Sequence, residues 1–461
     1  MKQINIPPIR IPEFRMPSLG LSAIGLPADR SGNRLAWPSG LKDSIVCWYS
    51  PRKQGLTEYD VIESYAEDFT SSKFNVKDAN TTVTNKVLTY SRDAVEPTTS
   101  SILTTKEQLD EMVVKVTFDV SAYSYRYLDK NLNLIDIKLK NGINVLPKSY
   151  SNNFYQVGFI YTGNKYATNI TIEQLPTSKA KDFSANGHDL FLYKFKGKLD
   201  SGIGLYHADF TEWTNSNSDE VSPEQVVFTT AGVKNIILYG TKSNSINVQV
   251  KGFSDKVRYL RLGYNENGVF KEIDVFKDGI YTIPGSELET SGLLSRISCS
   301  LKDDSKVTVT QTPDYPNQLC YNGSSYGVAY GLPLLSDYTI IADRTWFENN
   351  GNRVFANKGN IWPNCAFTFE KIDVSLNSET FSFSQSTGID DLRNKSGITY
   401  QTKQSYNGNP ISFGDSSDGE VLAIGGQITG EFVGCHGDIL LFNRTLTDDE
   451  ITWLKENWEK L

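Results

Sequence analysis

The chain has 461 residues, of which 39% are hydrophobic and 12% aromatic, and its formal net charge is −8. This hydrophobic content supports packed cores and excludes a disordered chain, and the length suggests about two to four domains. A negative net charge repels nucleic-acid phosphates, so no nucleic-acid partner is expected. No run of about 18 apolar residues occurs, so no membrane insertion is expected.

The start of the chain and its cysteines indicate where the protein is made. The segment MKQINIPPIRIPEF lacks the continuous apolar run of a signal peptide, so we expect synthesis in a cytoplasm without ordinary export. None of the five cysteines forms a Cys-x-x-Cys pair, and we therefore expect reduced, mostly buried thiols rather than a disulfide framework or a zinc site. These cysteines are Cys47, Cys299, Cys320, Cys365 and Cys435.

Residues 1–40 are predicted to form an extended N-terminal docking arm. Repeated prolines exclude a helix, and apolar residues are too frequent for a solvated linker. Lys2 and four arginines stand against Glu13 and Asp29, a net charge of +3 that leaves −11 for the remainder. We expect the arm to lie along an acidic protein or another copy of the chain; the alternative is a disordered tail. The docking residues would be Ile4, Ile6, Pro7, Pro8, Ile9, Ile11, Phe14 and Met16.

Alternating apolar residues predict strands through most of the body, and an internal repeat divides it. The distance from Gly142 to Pro176 equals that from Gly279 to Pro313, at 34 residues. We interpret residues 73–181 and 222–313 as two related antiparallel β-sandwich modules. The matching segments are Arg126–Leu128 with Arg258–Leu260, Asn141–Pro147 with Asp278–Pro284, and Asn169–Pro176 with Lys306–Pro313.

The end of the chain carries the clearest local signals. A strand is predicted at Gly437–Phe442, and the sequence Thr447-Asp-Asp-Glu450 is a capping box that starts a helix. The helix would place Ile451, Leu454 and Trp458 on one face.

Residues Gly430–Ile451 resemble the end of concanavalin A-like lectin/glucanase (laminin G-like) domains, which close with a strand ending in Asn-Arg, a Leu-Thr step and a helix with an early Glu. Ile45–Tyr49 looks like the first strand of that family. Asp182–Leu190 is similar to its Asp-x-Ser-Gly-Asn-Gly-x-Asp turn, with Ala185 replacing the glycine after serine. The resemblance implies an all-β fold: a discontinuous jelly roll over residues 41–72, 182–221 and 314–461, with both modules inserted in its loops and a short C-terminal helix.

The layout also resembles fibre-type virion proteins of tailed phages that infect Bacteroidetes, including crAss-like phages. This resemblance implies a head fibre or tail fibre, anchored to capsid or tail proteins by residues 1–40, released by lysis and self-associating as a homotrimer. The expected function is display of β-sandwich domains for adhesion to glycans. The alternative is a lectin-like module of a bacterial surface protein.

A catalytic site is not expected. Jelly-roll glucanases use two carboxylates on one strand, in a pattern of Glu, an apolar residue and Asp followed by a second Glu three or four positions later. The segment Glu272-Ile-Asp274 starts this pattern, but the second glutamate is missing and Lys277 stands nearby. A glycoside hydrolase using Glu272 or Asp274 is kept as a second, weaker alternative. No cofactor is expected. Laminin G-like domains can bind calcium, for which Asp390–Asp391 and Asp415–Asp418 are candidate ligands, although solvated loops are the simpler interpretation.

Glycan binding would need aromatic rings exposed on a concave sheet, because such rings stack on sugars. The alternative for each is a place in the core, where aromatic residues of strand-rich chains usually lie. The candidates by position are Tyr326, Tyr330, Trp346 and Trp362.

Overall fold

The structure is a computed structural model. It describes residues 35–54, 63–76, 79–93, 98–119, 122–152, 154–163, 168–195, 209–216, 220–313, 315–347, 353–359, 365–372, 382–383, 386–387, 396–410, 419–426 and 432–461. Residues 1–34 of the predicted docking arm, Trp362 and both acidic candidates for calcium therefore lie outside the described residues. The predicted end of the arm at residue 40 is wrong, because Leu35 and Trp37 already pack against the body. Within them, no helix is long and apolar enough to cross a membrane.

The first strands and helix of the described chain run up to residue 193. They are β1 (Ile45–Tyr49), helix α1 (Pro51–Gln54), β2 (Asn75–Val76), β3 (Thr81–Val83), β4 (Val87–Arg92), β5 (Thr98–Thr105), β6 (Met112–Phe118), β7 (Tyr123–Leu128), β8 (Leu134–Lys138), β9 (Gly142–Leu146), β10 (Val157–Gly163), β11 (Thr168–Gln174), β12 (Lys179–Ala180) and β13 (Leu190–Tyr193).

The next strands form the second module. They are β14 (Thr214–Ser216), β15 (Glu220–Val221), β16 (Gln225–Phe228), β17 (Gly232–Ser243), β18 (Ile246–Lys251), β19 (Val257–Glu266), β20 (Val269–Val275), β21 (Gly279–Ile283), β22 (Ser286–Leu301) and β23 (Val307–Gln311).

The remaining elements complete the chain. They are β24 (Leu319–Asn322), β25 (Tyr326–Tyr330), β26 (Thr339–Trp346), β27 (Arg353–Gly359), β28 (Cys365–Ile372), β29 (Ser382–Phe383), β30 (Ser386–Thr387), β31 (Ser396–Thr402), β32 (Ser405–Tyr406), β33 (Asn409–Pro410), β34 (Val421–Ile424), β35 (Val433–Phe442) and helix α2 (Asp448–Asn457). The prediction of an all-β fold with a short C-terminal helix is confirmed.

One sandwich is built from both ends of the body. Its seven-stranded sheet has the order β1-β35-β26-β31-β32-β33, with β24 also paired to β35, and its six-stranded sheet has the order β12-β13-β25-β34-β27-β28. The first body strand and the last strand pair directly, with Trp48 opposite Leu440. Apolar residues such as Leu192, Ile340 and Ile439 fill the space between the two sheets, because alternate side chains of each strand face inward.

The two modules share one topology. In the first, the sheets have the orders β2-β5-β10-β7-β8 and β3-β4-β11-β6-β9; in the second, they have the orders β14-β17-β22-β19-β20 and β15-β16-β23-β18-β21. Adding twelve to each strand number of the first module gives the second. Each module has its own apolar core between its sheets. The shared topology agrees with the prediction that the modules are related. Their predicted bounds are wrong at two places, because β14 and β15 pair within the second module before residue 222, and β12 pairs with β13 of the other sandwich before residue 181.

Strand register corrects one of the three sequence matches in the repeat. Leu128 pairs with Leu134 beside the β7–β8 hairpin, whereas Leu260 pairs with Val275 at the opposite end of β19–β20. The Arg-Tyr-Leu triplets therefore do not occupy equivalent positions. The residue of the first module that corresponds to Leu260 is instead Tyr123, because Tyr123 lies nineteen residues before Gly142 and Leu260 lies nineteen residues before Gly279. Three similar residues constrain alignment less than a ladder of backbone hydrogen bonds does.

A second match is equivalent in detail. The side-chain oxygen of Asn141 accepts a hydrogen bond of 2.7 Å from the backbone amide of Phe118. In the other module, Asp278 accepts a bond of the same length from the amide of Phe253. Each contact ties the loop before β9 or β21 to the neighbouring strand, which explains why both loops keep an Asn or Asp followed by glycine.

The turn at Asp182–Leu190 lies in the segment between the two modules, and a hydrogen bond from Trp48 holds it against β1. The Asp182 carboxylate accepts hydrogen bonds from the backbone amides of Trp48, Ser184 and His188. Ala185 has a φ of 71°, a left-handed conformation that costs a residue with a Cβ about 1–2 kcal/mol. A glycine at position 185 would avoid this cost, so the alanine that departs from the Ser-Gly pattern leaves the turn strained.

The C-terminal helix forms as its sequence predicts. Thr447 accepts from the backbone amide of Glu450, whose side chain accepts from the amide of Thr447 in return. The hydrogen bond from Arg444 and those from Thr447 hold the pKa of Glu450 at about 2. Ile451 and Leu454 are buried against the outer face of the seven-stranded sheet, together with Leu440.

Candidate ligand-binding pocket

A pocket of about 480 Å³ lies on the outer face of the seven-stranded sheet. This volume falls within the range of small-molecule sites. Strands β26 and β31 form its floor, and the segment before β24 forms one wall. The lining residues are Tyr315, Gln318, Asp343, Thr345, Trp346, Phe347, Ser396 and Gly397.

Alternation along β26 decides which side chains reach the pocket. Successive side chains of a strand point to opposite faces, and Arg344 and Trp346 are buried between the two sheets. Asp343 and Thr345 therefore face outward and line the pocket. A register shift between β26 and β35 lies at Gly437, where an added Cβ would come within 3.0 Å of the Asp343 Oδ2 atom. Glycine at this irregularity leaves room for the carboxylate.

A tight turn supplies the aromatic wall. The backbone amide of Gln318 donates to the carbonyl of Tyr315 at 3.2 Å, with Pro316 second in the turn and Asn317 third at a φ of 62°. Proline and asparagine at these positions are typical of a type II turn. The turn places the ring of Tyr315 against that of Phe347, with centroids 4.8 Å apart and planes tilted by 35°.

The carboxylate of Asp343 is held in an unfavourable electrostatic position. Burial raises its pKa above the ordinary range, and the carboxylates of Asp438 and Glu459 raise it further, whereas Arg344 and Arg52 act in the opposite direction. No hydrogen bond to the Asp343 side chain occurs within the part of the chain that the structure describes. A ligand hydroxyl or amine could supply the missing donor.

The neighbouring acid, Asp438, is satisfied and is not free to act in the pocket. Its side chain is 3% exposed and accepts hydrogen bonds from Ser50 Oγ at 2.6 Å and from the Trp48 indole at 3.4 Å. Arg52 approaches it at 3.5 Å. Burial raises the pKa of Asp438, and these partners oppose that shift.

A buried polar network lies beneath the pocket, between the two sheets. The Glu370 carboxylate accepts hydrogen bonds from Arg344 Nε at 2.7 Å, Trp346 Nε1 at 2.7 Å, Thr399 Oγ1 at 2.6 Å and the Tyr406 hydroxyl at 2.9 Å. Glu370 is fully buried, and its φ is 53°. The network holds Arg344 and Trp346 inward and so keeps the intervening pocket residues facing outward.

Trp346, one of the aromatic residues predicted to bind glycans, does not lie on the surface. Trp346 has 0% exposure, and its indole nitrogen donates to Glu370, so its prediction as an aromatic platform is wrong. It touches the pocket only as part of the floor. Buried strand positions favour aromatic rings, which is why the core alternative holds for Trp346.

Tyr326 and Tyr330 lie on the outer face of the six-stranded sheet, where the first module packs. Tyr326 stacks on Tyr193 with ring centroids 5.0 Å apart. The Lys115 ammonium, from the first module, lies 5.5 Å from the centroid of the Tyr330 ring. Both tyrosines are half-buried in an apolar cluster that also contains Leu175 of the β11 segment. Their described contacts are therefore with other parts of this chain; Trp362 lies outside the described residues.

The carboxylates considered for hydrolysis are paired with arginines on the surface of the second module. Asp274 accepts from Arg261 Nε at 2.9 Å, and Glu272 forms ion pairs with Arg261 and Arg296. Such a cross-strand ladder is a structural arrangement of an exposed sheet face. Among the described residues, no group of three or more metal-ligating side chains comes together.

Sequence reasoning missed the residues that build the pocket. Tyr315-Pro-Asn-Gln318 carries a turn signal, and Asp343 is a charged residue directly after the apolar run of β26. Neither signal by itself indicates a binding site. The pairing of β24 and β26 with the same strand, β35, brings the two segments together.

Comparison with known proteins does not assign a family. No known protein-family profile and no curated protein sequence matches the chain. Among solved structures, similarity is found to Trypanosoma rangeli sialidase in complex with sialic acid, at 12% identity and a TM-score of 0.24, covering 87% of this chain and 86% of that chain. Hazelnut (Corylus avellana) vicilin is similar at 9% identity and a TM-score of 0.12, covering 49% and 74%. Scores this low do not indicate a shared fold, and no activity is inferred from them.

Proposed function

We propose that this protein is a non-catalytic carbohydrate-binding protein and that it acts as a head fibre or tail fibre of a phage particle. The observation that carries the binding function is the pocket beside β26. It combines an aromatic wall, Tyr315 and Phe347, with a carboxylate, an amide and hydroxyl groups. Sugar rings present apolar faces and many hydroxyls, so they need both kinds of contact.

The charge of the pocket favours uncharged or amino sugars over acidic ones. Its described lining contains one carboxylate, Asp343, and no basic side chain. An acidic sugar would bring a second negative charge next to Asp343, whose ionised form is already disfavoured by burial and by Asp438. A neutral sugar hydroxyl would instead donate to this carboxylate in a charge-assisted hydrogen bond.

The same geometry supports binding without turnover. Glycoside hydrolysis commonly requires two carboxylates that flank the scissile bond. Asp438 is the acid whose charge raises the pKa of Asp343 most, and it is buried and engaged by Ser50 and Arg52. Asp343 therefore has no second reachable acid among the described lining residues, and we propose that the pocket holds a glycan without cleaving it.

The test is a glycan array probed with the full-length chain in the presence and absence of a chelator. We expect binding to glycans that end in neutral or amino sugars, no turnover of them, and no effect of the chelator, because the proposal includes no cofactor. An array on which only sialylated or sulfated glycans bind would contradict the proposal for this pocket, as would release of free sugar.

The virion setting rests on other features. Residues 1–40 combine a net positive charge with repeated apolar residues next to an acidic body, which suits docking to an acidic capsid or tail protein. We propose that copies self-associate as homotrimers, since slender fibres gain stability by burying surface between copies.

Deleting residues 1–34, which retains the packing of Trp37 against Trp48 and Trp453, is expected to leave a folded body that binds the same glycans but is lost from particles. Incorporation would be measured by mass spectrometry of purified particles. A full-length variant with Ile4, Ile6, Ile9 and Ile11 replaced by serine tests the apolar contact without shortening the chain. Normal incorporation of both variants would contradict the anchor. Retained glycan binding without any particle association would favour a bacterial surface lectin instead.

A further inference from the structure

Two cysteines lie directly opposite each other beside the pocket. In the β24–β35 ladder, Cys320 is the partner of Cys435. Opposed residues of antiparallel strands share one face, and their Cβ atoms are about 4.5–5.5 Å apart. A disulfide needs a Cβ separation of about 3.5–4.5 Å, so a small approach of the two strands would allow the bond.

The pair differs in exposure, which gives its members different chemical roles. Cys435 is fully buried, and burial raises the pKa of its thiol, whereas Cys320 is partly exposed. The accessible thiol would therefore react first with an oxidant and the buried one second. Cys47 and Cys299 are buried in other strands and have no cysteine as a strand partner.

One member of the pair also touches the pocket. The Cys435 thiol donates a hydrogen bond of 2.8 Å to the side-chain oxygen of Gln318. Gln318 lines the pocket next to Tyr315. With its oxygen held by the thiol, the Gln318 amide group is fixed in one orientation, and its NH₂ group is free to donate to a ligand.

We propose that Cys320 and Cys435 are a redox pair that forms a cross-strand disulfide and thereby changes the ligand pocket through Gln318. The oxidant is a low-molecular-weight disulfide such as glutathione disulfide. The Cys320 thiolate attacks it, forming a mixed disulfide and releasing one glutathione. Cys435 then loses its proton and attacks the Cys320 sulfur, releasing the second glutathione. Two protein thiols are oxidised and one glutathione disulfide is reduced to two thiols.

The effect on binding rests on the proposed carbohydrate function. Oxidation removes the S–H donor, so Gln318 loses the hydrogen bond that orients it. A ligand must then pay the cost of ordering this side chain, and we expect its affinity to fall about fivefold, the value of one ordinary hydrogen bond. Reducing the disulfide restores the affinity.

The first experiment needs no ligand. The full-length protein is incubated with glutathione disulfide and then digested and analysed by mass spectrometry. We expect a Cys320–Cys435 linked peptide, three remaining free thiols from the five cysteines and, in NMR spectra of the intact oxidised protein, faster hydrogen exchange of the Gln318 side-chain NH₂ group. Absence of the linked peptide, or a linked peptide with unchanged exchange at Gln318, overturns the proposal whether or not a glycan binds.

The second experiment measures glycan affinity with reduced and oxidised protein. The wild type is expected to weaken about fivefold on oxidation, and Cys320→Ser, which retains the thiol next to Gln318, is expected to bind like the reduced protein under both conditions. Cys435→Ala removes the donor and is expected to be about fivefold weaker under both conditions. Equal affinity of oxidised and reduced wild type overturns the coupling. If no glycan binds in any state, the proposed function fails, and the disulfide is still judged by the first experiment.

Discussion

Replacing Glu370 by glutamine is expected to lower the free energy of unfolding by about 3–5 kcal/mol, because it breaks a buried ion pair by removing one charge. Arg344 and Glu370 are 2% and 0% exposed. In the wild type, the carboxylate accepts hydrogen bonds from Arg344, Trp346, Thr399 and Tyr406. A glutamine side chain has one acceptor oxygen and presents an NH₂ group to the remaining donors, so Arg344 would keep a buried charge without its counter-charge.

The matched control is Glu272→Gln. Glu272 also pairs with arginines, Arg261 and Arg296, but on the surface of the second module, where its side chain is 27% exposed. Surface ion pairs contribute about 0–1 kcal/mol, so this change should lower stability by no more than that. Urea unfolding of both variants gives the comparison. Similar losses in the two variants would show that the Glu370 network does not support the sandwich.

Asp343→Asn is expected to weaken glycan binding about tenfold to a hundredfold without lowering the stability of the fold. A hydrogen bond to a charged group contributes about 1.5–3 kcal/mol, which corresponds to this range of affinity. Stability should be kept or raised, because burial and the charges of Asp438 and Glu459 disfavour the ionised form of Asp343. Loss of binding with a gain in stability is the behaviour expected of a functional residue.

The pH dependence follows from the raised pKa of Asp343. An acid whose pKa is higher in the folded state than in the unfolded state destabilises the fold at pH values above both, and this penalty disappears as the pH falls through the folded-state pKa. Binding requires the ionised carboxylate, so wild-type affinity should fall on acidification at a pH above the usual aspartate value of 3.8. The Asn variant should lack this pH dependence.

Calorimetric titration with a glycan identified on the array measures these affinities, and thermal unfolding measures stability. Asp274→Asn is the matched control, since Asp274 lies on the second module in an ion pair with Arg261 and far from the pocket in sequence and sheet. It should bind like the wild type. If Asp343→Asn binds as tightly as the wild type, the carboxylate does not contact the ligand and the assignment of the pocket is wrong.

Local and periodic features were predictable from the sequence because their causes are local. The capping box at Thr447 and the strand before it depend on residues a few positions apart, and both form as predicted. The relation between the modules was also detectable, since corresponding loops keep the same backbone contact at Asn141 and Asp278. The Arg126–Leu128 match failed because nothing in three residues specifies their register within a hairpin.

The aromatic candidates show a different limit. A tyrosine or tryptophan in a strand can face the core, solvent or another module, and alternation alone does not say which face is covered. Trp346 lies inward because β26 pairs with β31 and β35 and turns the face that carries Arg344 and Trp346 toward Glu370. Tyr330 lies against Lys115 because the first module packs on that sheet, a contact between residues 215 positions apart.

By itself, the sequence determined the all-β class, the repeated modules, and the start and apolar face of the C-terminal helix. These follow from composition, periodicity and short-range hydrogen bonding. Only the tertiary structure decided which acid faces a pocket, which tryptophan is buried, and which two cysteines meet. Each of these depends on strand pairing between distant segments, where β35 brings together β24 and β26, and no local pattern encodes that arrangement.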